Sequence, residues 1–561
     1  MVSKLVNDPH DVVQESLEGL VLLQPGLRLL EDRTTVVRVD RLAHGPSDPA
    51  VPVAVISGGG AGHEPSDGGF VGAGMLTAAV TGGVFSSPGP DAVHAAIRAV
   101  SGAAGCLLVV KNYTGDRLNF QLGAELAIAE GYRVETVLVN DDVSLAESED
   151  NAGRRGLAGT VLVEKVAGAL AEQGRPLEEV RDAASAVVGR IGTMNLGLSA
   201  LTVPGASAPS FELGEDEAEL GLGIHGEPGV RRIRKAPADK LVHILISRIA
   251  TEHGIRAGAS VVALVGGSGA TPQMELAIAA RAVARELALR RIRLVRLYAG
   301  EVMTSLDMAG VSVTLLPLDD ADGDSVVEAL DAPTAVLAWP GRGVAGPPEL
   351  ATVEGPPHEI GEDAPGEPDP HVRAAIDAAC QALLDSETEL TRLDRQVGDG
   401  DLGQALARGA YGWLADPAEG DAGYLLRHLS EVVRREVGGS SGALYAMGLL
   451  RASEAIADGG GWGDALTAAV DGIATLGAAE PGDGTMVDAL APAMEAWPQG
   501  PEAVVAAARS GADSTVEGVS RRGRASYLGA RGQGYPDPGA VAVVRWMEAV
   551  YDLEAAHDQH A

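Results

Sequence analysis

Aromatic side chains are scarce in this sequence: Phe, Tyr and Trp together make up 3% of 561 residues. Its cores must be built from small aliphatic side chains, with Ala, Val and Leu packed among many glycines. Cysteine is scarcer still. Cys106 and Cys380 are the only two, too far apart for zinc-ligand spacing and too few for a disulfide framework. No run approaches the ~18 apolar residues of a membrane span, and residues 1–13 lack the apolar core of a secretory signal, so the expected location is cytoplasmic. Basic residues are outnumbered: 43 Lys and Arg stand against 78 Asp and Glu, a formal net charge of −35. A surface so acidic repels nucleic-acid phosphates and anionic lipid, and neither is an expected partner. It also repels a nucleoside triphosphate, so a nucleotide site here needs a local reversal of charge, most simply by Mg²⁺. For most of the acidity, solubility is sufficient reason.

The chain is too long for one core, and typical domain sizes suggest roughly two to four units. In the first half, short apolar runs at 51–56, 106–110 and 134–139 are bounded by Gly, Asp and Asn and alternate with helical stretches at 91–100 and 120–130. This pattern predicts an α/β unit with a largely parallel sheet covered on both faces. A second α/β stretch follows, with strands at 260–265 and 292–298 around a helix at 272–289. Between 341 and 370 Pro, Gly, Glu and Asp dominate, as in an exposed linker. Beyond it, Ala/Leu-rich runs at 371–384, 424–437, 442–458, 462–477, 483–497, 501–518 and 539–556 predict an all-α bundle or barrel of about eight helices. The expected organisation is therefore an α/β domain of two subdomains over 1–340, a linker over 341–370 and an all-α domain over 371–561.

Asp394, Asp399 and Asp401 lie within eight residues, on a helix end and a Gly-rich turn. Three carboxylates so close repel one another unless a hard cation sits among them, and Mg²⁺ carrying phosphate oxygens suits the donor set. Without a cation the same residues make a solvated acidic turn. Gly398-x-Gly400-x-x-Gly403 formally matches a dinucleotide fingerprint, but a helix precedes it and Asp399 and Asp401 would face the pyrophosphate. An EF-hand fails too: Gly403 and Gln404 replace its third ligand and turn glycine, and Ala410 stands where the bidentate Glu belongs. Residues 438–442 satisfy G-x-S-x-G, yet a nucleophile elbow needs a preceding strand and 429–437 reads as helix. A glycine turn opening a helix fits better, with Ser440 and Ser441 and the free N–H groups receiving phosphate; a plain helix-to-helix turn has the same sequence signature. No P-loop pattern occurs anywhere.

In the first half, Ser57-Gly58-Gly59-Gly60-Ala61-Gly62-His63-Glu64-Pro65 follows a predicted strand directly, at the carboxyl end where α/β sheets bind ligands. Its glycines let a ligand approach the backbone, and His63 brings an acid/base group; a tight turn with an incidental histidine is the plainer alternative. Lys111-Asn112-Tyr113-Thr114-Gly115-Asp116 follows another strand and offers a cation and a carboxylate. Gly221-Leu222-Gly223-Ile224-His225-Gly226-Glu227-Pro228-Gly229 flanks a further histidine with glycines, open to a ligand carbonyl, although such a histidine taken alone is more often structural.

Together and in this order, these motifs resemble the fused, ATP-dependent dihydroxyacetone (glycerone) kinases. The resemblance runs from Lys4-Leu5-Val6-Asn7-Asp8-Pro9 to Tyr535-Pro536-Asp537-Pro538-Gly539-Ala540, through Met303-Thr304-Ser305-Leu306-Asp307-Met308-Ala309-Gly310 and Leu315-Leu316. It implies a substrate-binding (K-type) first domain, a nucleotide-binding (L-type) second domain, a cytoplasmic homodimer, and phosphorylation of dihydroxyacetone by ATP. On that resemblance His225 forms a covalent hemiaminal with the ketone, His63 shuttles the proton of the carbonyl oxygen, and Asp116 takes the proton of the attacking hydroxyl. Gly60, Ala61, Gly62 and Lys111 line the substrate. Asp394, Asp399 and Asp401 hold two Mg²⁺ ions, and Ser440, Ser441, Gly477, Met486, Arg524, Asp537, Pro538 and Gly539 contact ATP. The sequence departs from the family at Ala61 (often Ser), Asp67 (commonly His), Gly83 (commonly acidic) and Leu402 (frequently His). At Gly484 a basic residue is usual, so a cation near the phosphates is lost. Other readings are a kinase for the four-carbon ketose erythrulose or for glyceraldehyde, and an FAD-AMP lyase releasing cyclic FMN with Mn²⁺. A non-enzymatic ketone-sensing binding protein is opposed by the fused aspartate-bearing domain. A phosphotransferase-system variant is opposed by the fusion itself.

Overall fold

Alternation along the strands decides the first sheet. Val53 and Val55 go to one face and Ala54 and Ile56 to the other, and the same split separates Leu107 and Val109 from Cys106, Leu108 and Val110. A sheet apolar on both faces must be covered on both. Helices Pro90–Val100 and Thr114–Ala129 cover one side, and Thr160–Glu172 and Leu177–Val188 the other. The computed structural model describes residues 4–145, 153–341, 343, 346, 351, 366–523, 526, 529 and 532–558. It divides the chain into two compact units, residues 1–350 and 351–561. Most of the expected linker, 341–370, lies outside the described residues.

The first sheet comprises β1 (Leu27–Leu29), β2 (Thr35–Arg38), β3 (Ala54–Ala61), β4 (Ala78–Val84), β5 (Cys106–Lys111) and β6 (Val134–Val139), in the order β1-β2-β4-β3-β5-β6. From β4 to β6 every pairing is parallel; β1 and β2 are antiparallel additions at one edge. The second sheet comprises β7 (Gly192–Gly197), β8 (Glu217–Leu220), β9 (Arg231–Arg234), β10 (Ser260–Gly267), β11 (Arg293–Gly300) and β12 (Gly310–Leu318), in the order β11-β10-β12-β7-β8-β9. Here only β10 and β11 are parallel. The link from β11 to β12, residues 301–309, is too short for a crossover helix, so β12 returns antiparallel.

One core serves both sheets: Val262, Leu264 and Leu316 of the second join Val55 and Val109 of the first. Helix Thr160–Glu172 belongs to this core and is buried at nearly every position, including Glu164 and Lys165. Lys165 Nζ donates to the Ala329 carbonyl at 2.7 Å and lies 5.8 Å from the Trp339 ring centre. Burial brings this lysine down to about 8.

The second unit is all-α, as expected. Among the described residues it holds nine α-helices: Pro370–Asp385, Glu387–Val397, Leu402–Ala415, Ala422–Glu436, Gly439–Ala457, Trp462–Gly477, Val487–Ala496, Pro501–Ser514 and Pro538–Asp558. Helix Glu387–Val397 is the one expected to end at the acidic turn, though without expected bounds; it is polar overall and buries Leu390, Leu393, Asp394 and Val397 along one face. Helix Leu402–Ala415, after the turn, was not among the expected runs. The run expected at 483–497 shortens at its start, because Gly482 and Thr485 donate their N–H groups to Asp488 at 2.6 and 2.8 Å and shape a turn there.

A Cβ on Gly58 would lie 2.2 Å from the Val80 carbonyl oxygen of the neighbouring strand, whereas one on Gly83 would meet nothing closer than 3.7 Å. Gly58→Ala should therefore cost about 1–3 kcal/mol and Gly83→Ala no more than about 0.5 kcal/mol. Scanning calorimetry on both variants checks this, and equal effects would contradict the packing.

Candidate functional site

The sequence places the glycine run after a strand; in the structure β3 continues through it. Gly58, Gly59 and Gly60 pair in register with Val80, Thr81 and Gly82. The chain turns only at Gly62 (φ +100°), which delivers His63 to the end of the strand, buried. His63 Nδ1 lies 2.8 Å from the Thr304 carbonyl oxygen. A carbonyl can only accept, so Nδ1 carries the ring proton and Nε2 keeps its lone pair. That Nε2 is buried without a hydrogen-bond partner. Burial, reinforced by the neighbouring charge of His225, takes His63 down to about 3, so the ring is neutral at physiological pH.

His225 lies in the loop after β8, between Gly221 (φ +71°) and Gly226 (φ +82°). Its Nδ1 is 2.9 Å from Glu227 Oε1, and its backbone N–H donates to Glu227 Oε2 at 2.9 Å. Burial pushes Glu227 up, but the bonds from His225 outweigh it and hold this carboxyl at about 2. A carboxylate likewise only accepts, so Nδ1 of His225 donates and Nε2 is the ring nitrogen that Glu227 does not engage. The loop is pinned at two carbonyls that precede the ring. Ser305 Oγ donates to the Ile224 carbonyl, and Arg155 Nη2 donates to the Gly221 carbonyl at 2.8 Å. The two imidazole centroids are 4.9 Å apart; Phe85 stands 5.1 Å from each, and Tyr113 4.8 Å from His225.

Lys111, at the end of β5, is nearly fully buried and committed to protein partners. Its Nζ donates to the Gly58 carbonyl at 2.9 Å and to both oxygens of Asp67 at 2.8 and 2.7 Å. Burial alone would lower the lysine and raise the aspartate; their mutual attraction outweighs it, so Lys111 is raised and Asp67 lowered. Asp67, one of the departures from the family pattern, thus neutralises the cation expected at the substrate. Burial and the charge of Asp67 push the adjacent Glu164 well above the carboxylate range. Asp116 is buried in the first turn of Thr114–Ala129, where burial raises it against the pull of Lys111 and His225. His63, Lys111, Asp116 and His225 therefore share one electrostatic neighbourhood. Glu227, Thr304, Ser305, Phe85 and Tyr113 complete it without having been assigned roles. Of these, Glu227 carried a signal: it stands two residues after His225 inside the same glycine loop.

In the helical unit, Asp394, Asp399 and Asp401 each offer a carboxylate oxygen within 4.8 Å of the others. Asp394 is buried at the end of Glu387–Val397, and its Oδ2 accepts from the N–H groups of Asp401 at 2.8 Å and Leu402 at 3.1 Å. Gly400 (φ +80°) makes the turn between them. An all-oxygen set with one fixed and two exposed carboxylates suits a hard divalent cation. The aspartates line a cavity of about 350 Å³ with Ser440, Ser441, Gly477, Met486, Asp537, Pro538 and Gly539. Ser440 and Ser441 stand in the first turn of Gly439–Ala457. Desolvation, opposed by backbone hydrogen bonds and reinforced by the charges of Asp488 and Asp394, brings Asp537 up to about 7. Arg524 lies outside the described residues. Gly484 brings no cation, and Arg522 is the one basic side chain lining the cavity among the described residues. Its Nε is 3.4 Å from Asp483 Oδ2.

Comparison with known proteins adds three findings. The Dak1 domain model matches residues 18–338 and the DAK2 domain model residues 396–552. A Solanum lycopersicum protein provisionally named a 3,4-dihydroxy-2-butanone kinase is 42% identical, over 97% of both chains. A Homo sapiens triokinase/FMN cyclase is 39% identical, over 98% of this chain and 99% of its own. Among solved structures, the dihydroxyacetone kinase from C. freundii in complex with AMP-PNP and Mg²⁺ aligns with a TM-score of 0.64 and 33% identity, covering 98% of this chain and 99% of that one.

The neutral, buried His63 carries a pH signature. The native ring takes a proton only near pH 3, the unfolded ring near its ordinary value of ~6.5. Between those values the unfolded chain binds the extra proton, so this group's contribution to stability is complete above the upper value and is lost as pH falls through the window. Relative to wild type, His63→Gln should gain on the order of 2 kcal/mol on going from pH 7 to pH 5. Urea denaturation at the two pH values measures it; a difference independent of pH would contradict the neutral assignment.

Proposed function

The chain belongs to the two-domain dihydroxyacetone kinase family, and on that premise we propose that it transfers the γ-phosphoryl group of ATP to dihydroxyacetone held covalently on His225. The observation that carries the reading is the His225–Glu227 pair beside the unpartnered Nε2 of His63. Glu227 keeps the proton of His225 on Nδ1, leaving Nε2 to attack the ketone carbon and form a hemiaminal. As the C–N bond forms and the carbonyl π bond opens, Nδ1 gives up its proton through Glu227 to solvent and the new alkoxide takes one proton from solvent, so capture is neutral overall. His63 relays that incoming proton: Nε2 accepts it from water and, having a low proton affinity, hands it on to the oxygen at once. Capture through a carbonyl separates a ketose from glycerol more sharply than hydrogen bonding does. Asp116, raised by burial, is the base for the terminal hydroxyl.

Asp394, Asp399 and Asp401 are the residues to hold Mg²⁺, which offsets their charge and that of the phosphates. The N-terminal turn of Gly439–Ala457, with Ser440 and Ser441, orients the phosphate chain. Arg522 takes the place that Gly484 leaves without a cation. A second Mg²⁺ ion, ATP contacts from Gly477, Met486, Arg524 and residues 537–539, and a homodimer belong to the same proposal. A second reading has support in the name of the human relative, which joins triokinase to FMN cyclase; product analysis with FAD and Mn²⁺ separates it from the kinase.

With ATP and Mg²⁺, a coupled ADP-release assay should show turnover on dihydroxyacetone and little on glycerol. His225→Ala should abolish that preference. Asp399→Asn or Asp401→Asn should reduce turnover at least about a hundredfold while dihydroxyacetone still binds, since the carboxylates belong to the other unit. Near-normal activity of either aspartate variant would refute the metal assignment.

A further inference from the structure

Phe85 is one of four phenylalanines in the chain, and its backbone is in a conformation that phenylalanine avoids. Its φ is +57°, the left-handed region, where the Cβ of an L-residue crowds the following carbonyl oxygen. Leu306 is in the same region at +55°. Bulky residues persist there only where their surroundings over-determine them, and such residues gather at binding sites.

Here those surroundings can be named. The Phe85 N–H donates to the Ala61 carbonyl at 2.9 Å, and the Leu306 N–H to the Gly62 carbonyl at 2.9 Å. A Cβ on Gly60 would come within 2.8 Å of the Phe85 backbone, and one on Gly62 within 2.8 Å of its ring. The glycines before His63 therefore make room for Phe85 as well as for any ligand. The ring stacks on His63 at 5.1 Å and 23° and meets His225 edge-on at 5.1 Å and 76°. With the imidazoles 4.9 Å apart, the three centroids form a nearly equilateral triangle. Behind it Phe85 packs on the buried cluster of Leu201, Leu222 and Met308. The ring carries no proton to transfer. It contributes an apolar surface against both imidazoles, held from behind by that cluster and at its backbone by the hydrogen bond to Ala61.

Resting on the capture reading above, we propose that Phe85 is the specificity-determining residue of the ketose site. It is a fixed wall beside His225 that admits a three-carbon ketose and disfavours a four-carbon one at the captured carbonyl. Discrimination of one carbon by an apolar wall is worth about tenfold or more. The test compares kcat/KM for erythrulose and dihydroxyacetone in the full chain as wild type, Phe85→Leu and Phe85→Ala. Wild type should favour dihydroxyacetone, and shortening the wall should shift the ratio towards erythrulose at least about tenfold. Phe85→Leu, which retains apolar volume, gives the answer if Phe85→Ala fails to fold. Native mass spectrometry of wild type with each ketose accompanies the kinetics. A wild-type adduct together with an unchanged ratio in the variants overturns the role of Phe85 alone, as does a wild type that takes both ketoses equally. A wild type with no adduct on His225 overturns the capture reading and this inference with it.

Discussion

A neutral imidazole has one proton for two nitrogens, and the partner of the first decides what the second can do. His63 and His225 are committed in the same way. Each gives its Nδ1 proton to an oxygen that can only accept, the Thr304 carbonyl for His63 and the Glu227 carboxylate for His225. His63 therefore keeps its lone pair on Nε2, and in His225 Nε2 is the nitrogen that Glu227 does not engage. One is buried and held neutral, and so suits passing a proton; the other lies in a glycine-flanked loop and suits attack on a carbonyl carbon. Neither role would follow from the residue types alone.

The fold exists around the site to hold these two rings against one another. His63 comes from the end of β3 in the first sheet and His225 from the loop after β8 in the second. The segment that fastens them is residues 304–306. The Thr304 carbonyl accepts a hydrogen bond from His63, Ser305 donates to the carbonyl next to His225, and the Leu306 N–H donates to the Gly62 carbonyl just before His63. Three consecutive residues after β11 thus tie a strand end of one sheet to a loop of the other, and the core that the sheets share keeps that segment in place. The helical unit solves a different problem. It must gather negative charge without collapsing, and it does so by fixing one carboxylate, Asp394, on backbone N–H groups while Asp399 and Asp401 stay in solvent.

Much of this was legible in the sequence wherever the signal was local. Strand β6 and helix Trp462–Gly477 have the bounds that their apolar patterns predict. The acidic turn, the serine turn and the glycine loops were visible because each is a short run with an uncommon composition. What depends on distant partners was not visible. Asp67 and Lys111 are 44 residues apart, and nothing local says that the aspartate neutralises the lysine. Glu227 stood in plain view, yet sequence does not say which way a side chain turns. Phe85 gave no signal, because its importance comes from a backbone angle and from rings brought up by other elements. The antiparallel return of β12 was hidden for the opposite reason: strand patterns show that a strand exists, while the direction of pairing follows from the length of the connection.

The central claim is that Nε2 of His225 bonds to the ketone carbon of the substrate. The measurement that reaches it most directly is nuclear magnetic resonance of dihydroxyacetone labelled with ¹³C at the carbonyl, bound to protein carrying ¹⁵N in its histidine rings. The account predicts that the bound carbon is tetrahedral and coupled to a ring nitrogen, and that the coupling disappears in His225→Ala. A bound ligand whose carbon stays trigonal, or becomes tetrahedral with no nitrogen coupling, would contradict it.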